Sequence, residues 1–261
     1  MSEVKLNVKK FKEIIEKGTL AHSIECLQLH FVENRVKANM VSNQRDVVVL
    51  LDMPNDIIEF SNEDDITFNF AEPYIQTLPY FDVIDEPEAM IDIIDEADNF
   101  LVKSGVGQVS KVPFCHLSVI QNNVLYKSPK DDFNYFATID IDADRLKVFE
   151  KIKRIATRFG KIYITVDAGN LLIETTDKTN NFSPELRCEK LMEGVRIDNL
   201  TLCFEFKNFM NLIKVVEEEM SKDGGKTFKM SFAYITETEG GLIHVASADA
   251  TEQYMLLNRE I

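Results

Sequence analysis

With 261 residues, 45% hydrophobic and 28% charged, 18 Phe, no Trp and few Gly or Pro, the chain has the composition of an ordinary globular protein, not a disordered one, with room for one large domain or two of about 130 residues. No run approaches the roughly 18 consecutive apolar residues of a membrane span, and the opening MSEVKLNVKKFKEII lacks the apolar core of a secretory signal, so an intracellular protein is expected. A net charge of −15 argues, taken alone, against any role that needs clustered cations.

The charge is unevenly distributed. Residues 1 to 134 hold 12 Lys and Arg against 23 Asp and Glu, residues 135 to 261 hold 17 against 21, and no basic residue lies between Arg45 and Lys103. The four cysteines, Cys26, Cys115, Cys188 and Cys203, form no CxxC pair and point to neither a zinc site nor a disulfide framework.

In chain order, residues 7 to 18 (NVKKFKEIIEKG) place Val8, Phe11, Ile14 and Ile15 at helical spacing and stop at Gly18. CLQLHFVENRVKANMV reads as two strands around a polar turn. TFNFAEPYIQTL (67 to 78) is a strand leading into a short helix that Pro79 should end or kink, and AMIDIIDEADNFLVKSG is a second hairpin. Residues 121 to 134, polar and carrying Pro129, read as a connector.

The order then repeats. ADRLKVFEKIKRIATRFG (143 to 160) is a helix stopping at Gly160, with Asp142 or Asp144 as its cap; KIYITVDAGNLLIETT is a hairpin; CFEFKNFMNLI is a strand and helix whose F-x-F pair is displaced by 136; KMSFAYITETEGGLIHVAS is the last hairpin. The expectation is an α+β protein of two similar domains, each an antiparallel sheet with two helices on one face, over residues 1–120 and 135–261 with a connector at 121–134.

On the helix of the second half, Lys147, Lys151, Arg154 and Arg158 recur at i, i+4, i+7 and i+11, within an arc of about 60° at 100° per residue. A basic row on one helix of an acidic chain separates charge, which suits a face meeting a polyanion; basic rows are also common as simple solvated faces. The first helix repeats the pattern less cleanly, with Lys9, Lys10, Lys12 and Lys17 against Glu13 and Glu16, and the helix from Lys207 has Lys207, Asn211 and Lys214 on one side before Glu217, Glu218 and Glu219.

Other patterns fail on spacing. GGKT at Gly224 to Thr227 lacks the first glycine of a phosphate loop, Asp140, Asp142 and Asp144 do not continue into a calcium loop, and His22, His30, His116 and His244 show no metalloprotease spacing. No catalytic, cofactor or metal site is expected.

The twofold repeat, two helices per repeat, acidic charge and helix-borne cations resemble the DNA sliding clamps. The nearest type is the two-domain clamp of the proliferating cell nuclear antigen kind, with its phage and viral counterparts. FATIDIDADRLKVFEKIKRIATRFGKIYITVDAGNLLIETT and LCFEFKNFMNLIKVV carry the resemblance. It implies a homotrimeric ring, helices inside and sheets outside, that encircles duplex DNA without reading its sequence and tethers a DNA polymerase as a non-enzymatic processivity factor. It further implies a clamp loader, residence on DNA in a nucleus or a host cytoplasm, and Lys9, Lys10, Lys12, Lys17, Lys147, Lys151, Arg154, Arg158, Lys207 and Lys214 facing DNA. Clamp-binding peptides would dock at Met40, Val47, Tyr254, Leu256 and Leu257, residues that could equally be core. The competing readings are an acidic interaction scaffold, a monomeric or dimeric processivity factor without a closed ring, and an enzyme of unrecognised type.

Overall fold

The computed structural model describes residues 3–59, 65–84, 86–93, 99–103, 107, 109–125, 133–155, 160–167, 170–175, 185–187, 190–191, 200–222, 224–235 and 240–258. They form two compact units, the first from Met1–Asn43 and Val49–Ser128, the second from Gln44–Val48 and Pro129–Ile261.

The first unit comprises β1 (Glu3–Asn7), α1 (Val8–Gly18), β2 (Cys26–Val32), β3 (Arg35–Val41), β4 (Val47–Pro54, all but its first two residues), β5 (Ile58–Glu59), β6 (Ile66–Ala71), α2 (Pro73–Gln76), α3 (Leu78–Asp82), β7 (Glu88–Ile93), β8 (Asn99–Lys103), β9 (Val109–Pro113) and α4 (Leu117–Ile120). Its strands run in the orders β5-β1-β7-β8-β9 and β4-β3-β2-β6. Phe11 of α1 packs on Phe70 of β6 and Phe81 of α3, with ring centroids 6.0 and 4.8 Å apart, so the helices cover strands through an aromatic core. A 3-10 turn, Gln121–Asn123, follows α4, and Val124 then bridges to Met40.

The second unit comprises β10 (Tyr135–Ile141), α5 (Ala143–Ile155), β11 (Lys161–Asp167), β12 (Asn170–Thr175), β13 (Glu185–Arg187), β14 (Lys190–Leu191), β15 (Leu200–Glu205), α6 (Phe206–Met220), β16 (Phe228–Ile235), β17 (Gly240–Ser247) and β18 (Glu252–Leu257). Its orders are β14-β10-β16-β17-β18 and β13-β12-β11-β15. Each strand of the first unit therefore has a counterpart nine strands later in the same place. The architecture is α+β and duplicated, with antiparallel pairing in both units.

Strand register corrects one detail of the repeat. Leu27 faces Phe70 and Leu29 faces Phe68 in the first unit; Ile162 faces Phe204 and Ile164 faces Leu202 in the second. Phe68 and Phe70 thus correspond to Leu202 and Phe204, and Phe206 is instead the first residue of α6. Pro79 does interrupt the first unit's second helix: α2 ends at Gln76, α3 starts at Leu78, and each proline occupies the first turn of its short helix, where a missing N–H costs nothing.

Gly18 has a different purpose from the one its position implied. A Cβ there would lie 2.5 Å from Leu27 Cδ1, so the glycine lets the end of α1 close onto β2, while the left-handed residues of the following turn are Leu20, Ala21 and His22.

Candidate nucleic-acid interface

Helix α5 begins at Asp142, whose Oδ1 accepts the Arg145 N–H at 2.8 Å. The first unit repeats this cap with Asn7, whose Oδ1 accepts the Lys10 N–H at 3.0 Å. Leu146, Phe149 and Ile152 bury one side of α5, and Phe149 meets Phe209 of α6 edge to face at 5.5 Å. The side away from Phe149 presents Lys147, Lys151 and Arg154, all exposed. Arg158 lies outside the described residues.

Two of these cations have weak local partners. Lys147 Nζ is 2.8 Å from Asp144, and Arg154 is 3.7 Å from Glu150. The Lys147 contact pushes the Asp144 carboxyl below its ordinary range and raises the Lys147 ammonium, through the hydrogen bond first and the charge second. Lys151 has no hydrogen bond or ion pair among the described residues, and neither does the exposed Lys153, a fifth cation of this helix that lies off the row.

Helix α6 repeats the row's spacing. Lys207, Asn211, Lys214 and Glu218 follow at i, i+4, i+7 and i+11, opposite the buried Phe209, Leu212 and Val216. Lys207 is exposed, and Lys214 approaches Glu218 at 3.6 Å.

Helix α1 is arranged differently. Lys9 is exposed, 4.0 Å from Glu13; Lys10 pairs with Asp56; Lys12 pairs with Asp82 at 2.5 Å; Lys17 is buried. Asp56, in the loop between β4 and β5, and Asp82, at the end of α3, come from other segments of the same unit, so helical spacing alone did not announce them. Neither α2 nor α3 carries a Lys or Arg.

The residues tied to peptide docking separate by strand face. Met40, Val47, Tyr254 and Leu256 are at most 2% exposed, whereas Leu257 is half-buried. Neighbouring strand residues point to opposite faces, so Tyr254 and Leu256 go to the side where Glu219 of α6 acts on the Tyr254 phenol, and Leu257 goes to the other. That other face, shared with His244 through the pairs Leu242↔Leu257 and His244↔Met255, holds a half-exposed ring cluster. Tyr135 stacks on His244 at 5.8 Å, Phe133 lies 6.1 Å from Tyr135, and His244 bonds to the Tyr135 hydroxyl and, at 3.2 Å, to Gln253. Sequence reasoning passed over these rings because His244 lies more than 100 residues from Phe133 and Tyr135.

Among the described residues no His, Cys, Asp or Glu side chains converge as a metal site, and no helix is long and apolar enough to cross a membrane. The GGKT segment is a loop after α6 in which a Cβ on Gly225 would meet the Met220 carbonyl oxygen at 2.3 Å.

No protein-family model and no curated protein matches the sequence. Solved structures do match, over nearly the whole chain. PCNA from Thermococcus kodakaraensis superposes with a TM-score of 0.66 at 11% identity, covering all of both chains. A. fulgidus PCNA, solved with the C-terminal region of FEN-1 bound, gives 0.65 at 15%, covering 100% of this chain and 99% of that one. The PCNA2–PCNA3 complex from Sulfolobus tokodaii gives 0.64 at 12%, covering 98% of each. What these similarities establish is architecture: the chain has the duplicated α+β fold of the PCNA-type sliding clamps.

Proposed function

We propose that this protein is a DNA sliding clamp, a non-enzymatic subunit of a homotrimeric ring that encircles duplex DNA inside the cell and tethers a DNA polymerase to it. The observation that carries the reading is the exposed row Lys147, Lys151 and Arg154 on a helix of a full-length clamp fold, in a chain whose net charge is −15. A ring holds DNA by topology. Its phosphate contacts can then be few, weak and indifferent to sequence, which is what a short row of lysines and arginines provides.

Partner docking falls, on this reading, to the strand face of the second unit that Leu257 shares with His244. Leu257 and the rings of Phe133, Tyr135 and His244 offer half-exposed apolar surface with polar edges, the kind of surface on which an aromatic or aliphatic peptide anchor gains most. The FEN-1 segment bound to A. fulgidus PCNA supports a peptide-binding role. A closed ring also needs a clamp loader to open it.

The test combines mass in solution by light scattering with retention on nicked circular and linearised DNA. The expected result is a mass of three subunits and, after loading, retention on the circle with loss from the linear form. A monomeric mass at every concentration, or equal loss from both DNAs, refutes the ring and favours a scaffold that kept the fold alone.

A further inference from the structure

We propose that DNA contact in this protein is confined to the second unit, centred on α5, and that the helix layer of the first unit is electrostatically silent toward the duplex. The inference rests on the clamp reading above and goes beyond it. A duplicated fold leads one to expect duplicated DNA-binding helices, and the side chains show that the charge was not duplicated with the backbone.

Of the four lysines of α1, Lys10 and Lys12 are matched by Asp56 and Asp82, and Lys17 is buried. Lys9 stands on a face it shares with Glu13 and, two turns on, Glu16. With two acids to its one exposed cation, that face carries no net positive charge, and Lys10 and Lys12 each form with a carboxylate of a separate segment a dipole whose field fades well within the Debye length of roughly 10 Å. The helices that follow, α2 and α3, contain no cation and expose Ile75, Tyr80 and Val83 instead. Phosphates gain nothing from such a surface.

Helix α5 has the opposite balance. Within Ala143–Ile155 there are five cations, Arg145, Lys147, Lys151, Lys153 and Arg154, and two acids, Asp144 and Glu150; Arg145 is matched by Asp142 just before the helix, which leaves four. Both acids meet the row only within the helix, at i,i+3 and i,i+4, where such pairs contribute at most about 0.5 kcal/mol and yield readily to a phosphate. Lys151 has no partner to exchange, and Lys207 on α6 is in the same position among the described residues. The duplex backbone is the occupant that matches a row of exposed side-chain cations along one helix face. Each chain would then neutralise only a few phosphates, all from one of its two units.

Equilibrium binding of the full-length protein to a fluorescein-labelled short duplex, measured across a NaCl series, tests the assignment. The variant Lys147→Gln/Lys151→Gln/Arg154→Gln is expected to flatten the slope of log K against log salt by about 2.7 per chain engaged, at about 0.9 for each phosphate no longer neutralised. The variant Lys9→Gln/Lys10→Gln/Lys12→Gln is expected to leave affinity and slope unchanged. Lys151→Gln alone, which breaks no internal ion pair, should flatten the slope by about 0.9 and stands in if either triple variant no longer shows a thermal unfolding transition. Equal effects in the two triple variants, or an unchanged slope in Lys151→Gln, overturn the confinement while leaving the clamp reading intact. Wild-type protein that binds no duplex at the lowest salt overturns the confinement by removing the contact itself, while the clamp reading stands or falls on the mass and circular-DNA test.

Discussion

Glu252 is wholly buried, yet it accepts hydrogen bonds from Lys226 Nζ at 2.7 Å and from the Tyr254 hydroxyl at 2.9 Å. Burial, and then Glu252 and Glu219, push the Tyr254 phenol far above its ordinary range, so it remains a neutral donor. Lys226→Met takes the positive charge away from a buried carboxylate and should cost about 3 kcal/mol in urea unfolding. Nearby, Asp249 would be raised by its own partial burial, but the Ser247 and Thr251 hydroxyls, the Thr251 N–H and the Lys226 charge hold it well below the ordinary carboxylate range. A carboxyl depressed in the folded state contributes its full stabilisation above the unfolded value and loses it as pH falls through the folded one. Acid unfolding of the wild type below about pH 4 should therefore be steeper than that of Asp249→Asn. Matching acid profiles would count against this assignment. None of this network was legible in the sequence, where Lys226 stood out only as part of a GGKT segment that fails the phosphate-loop spacing. Its partners lie across a hairpin and acquire meaning only when β18 closes on the loop before β16.

At the scale of elements, most of the chain could be read directly. Apolar positions at helical spacing marked α1 and α5, alternation marked the long hairpins, and the caps Asn7 and Asp142 sit where helix-start chemistry puts them. Asn7→Ala and Asp142→Ala should each lower stability by about 1 kcal/mol in thermal unfolding, with the larger loss for Asp142 at low salt, where its carboxylate also interacts with the helix dipole. Strands β5, β13 and β14, of two or three residues, were invisible because so few residues carry no periodicity. The F-x-F repeat misled by two positions because composition cannot distinguish the last residues of a strand from the first of a helix. Backbone pairing with β2 and β11 can.

For the whole molecule, the two units have the same strand orders and different helix charge. Strand order is set by hydrophobic burial and backbone hydrogen bonding, which tolerate wide sequence differences, so solved structures at 11 to 15% identity can share the fold. Surface charge is under no such constraint from packing, and one unit can lose a basic face while the fold endures. Retention on circular DNA is a property of a closed assembly and of no single residue.

The sequence by itself determined the duplicated α+β pattern, the helix rows and the asymmetry of charge between halves, since periodicity and composition are local properties that survive without coordinates. Only the tertiary structure decided which cations remain available. Lys10 and Lys12 meet acids from distant segments, Lys17 is buried, and Tyr254 and Leu256 turn away from the face that Leu257 shares with His244. Ion pairing and strand facing depend on neighbours brought together by folding, so a residue's type and spacing cannot specify them.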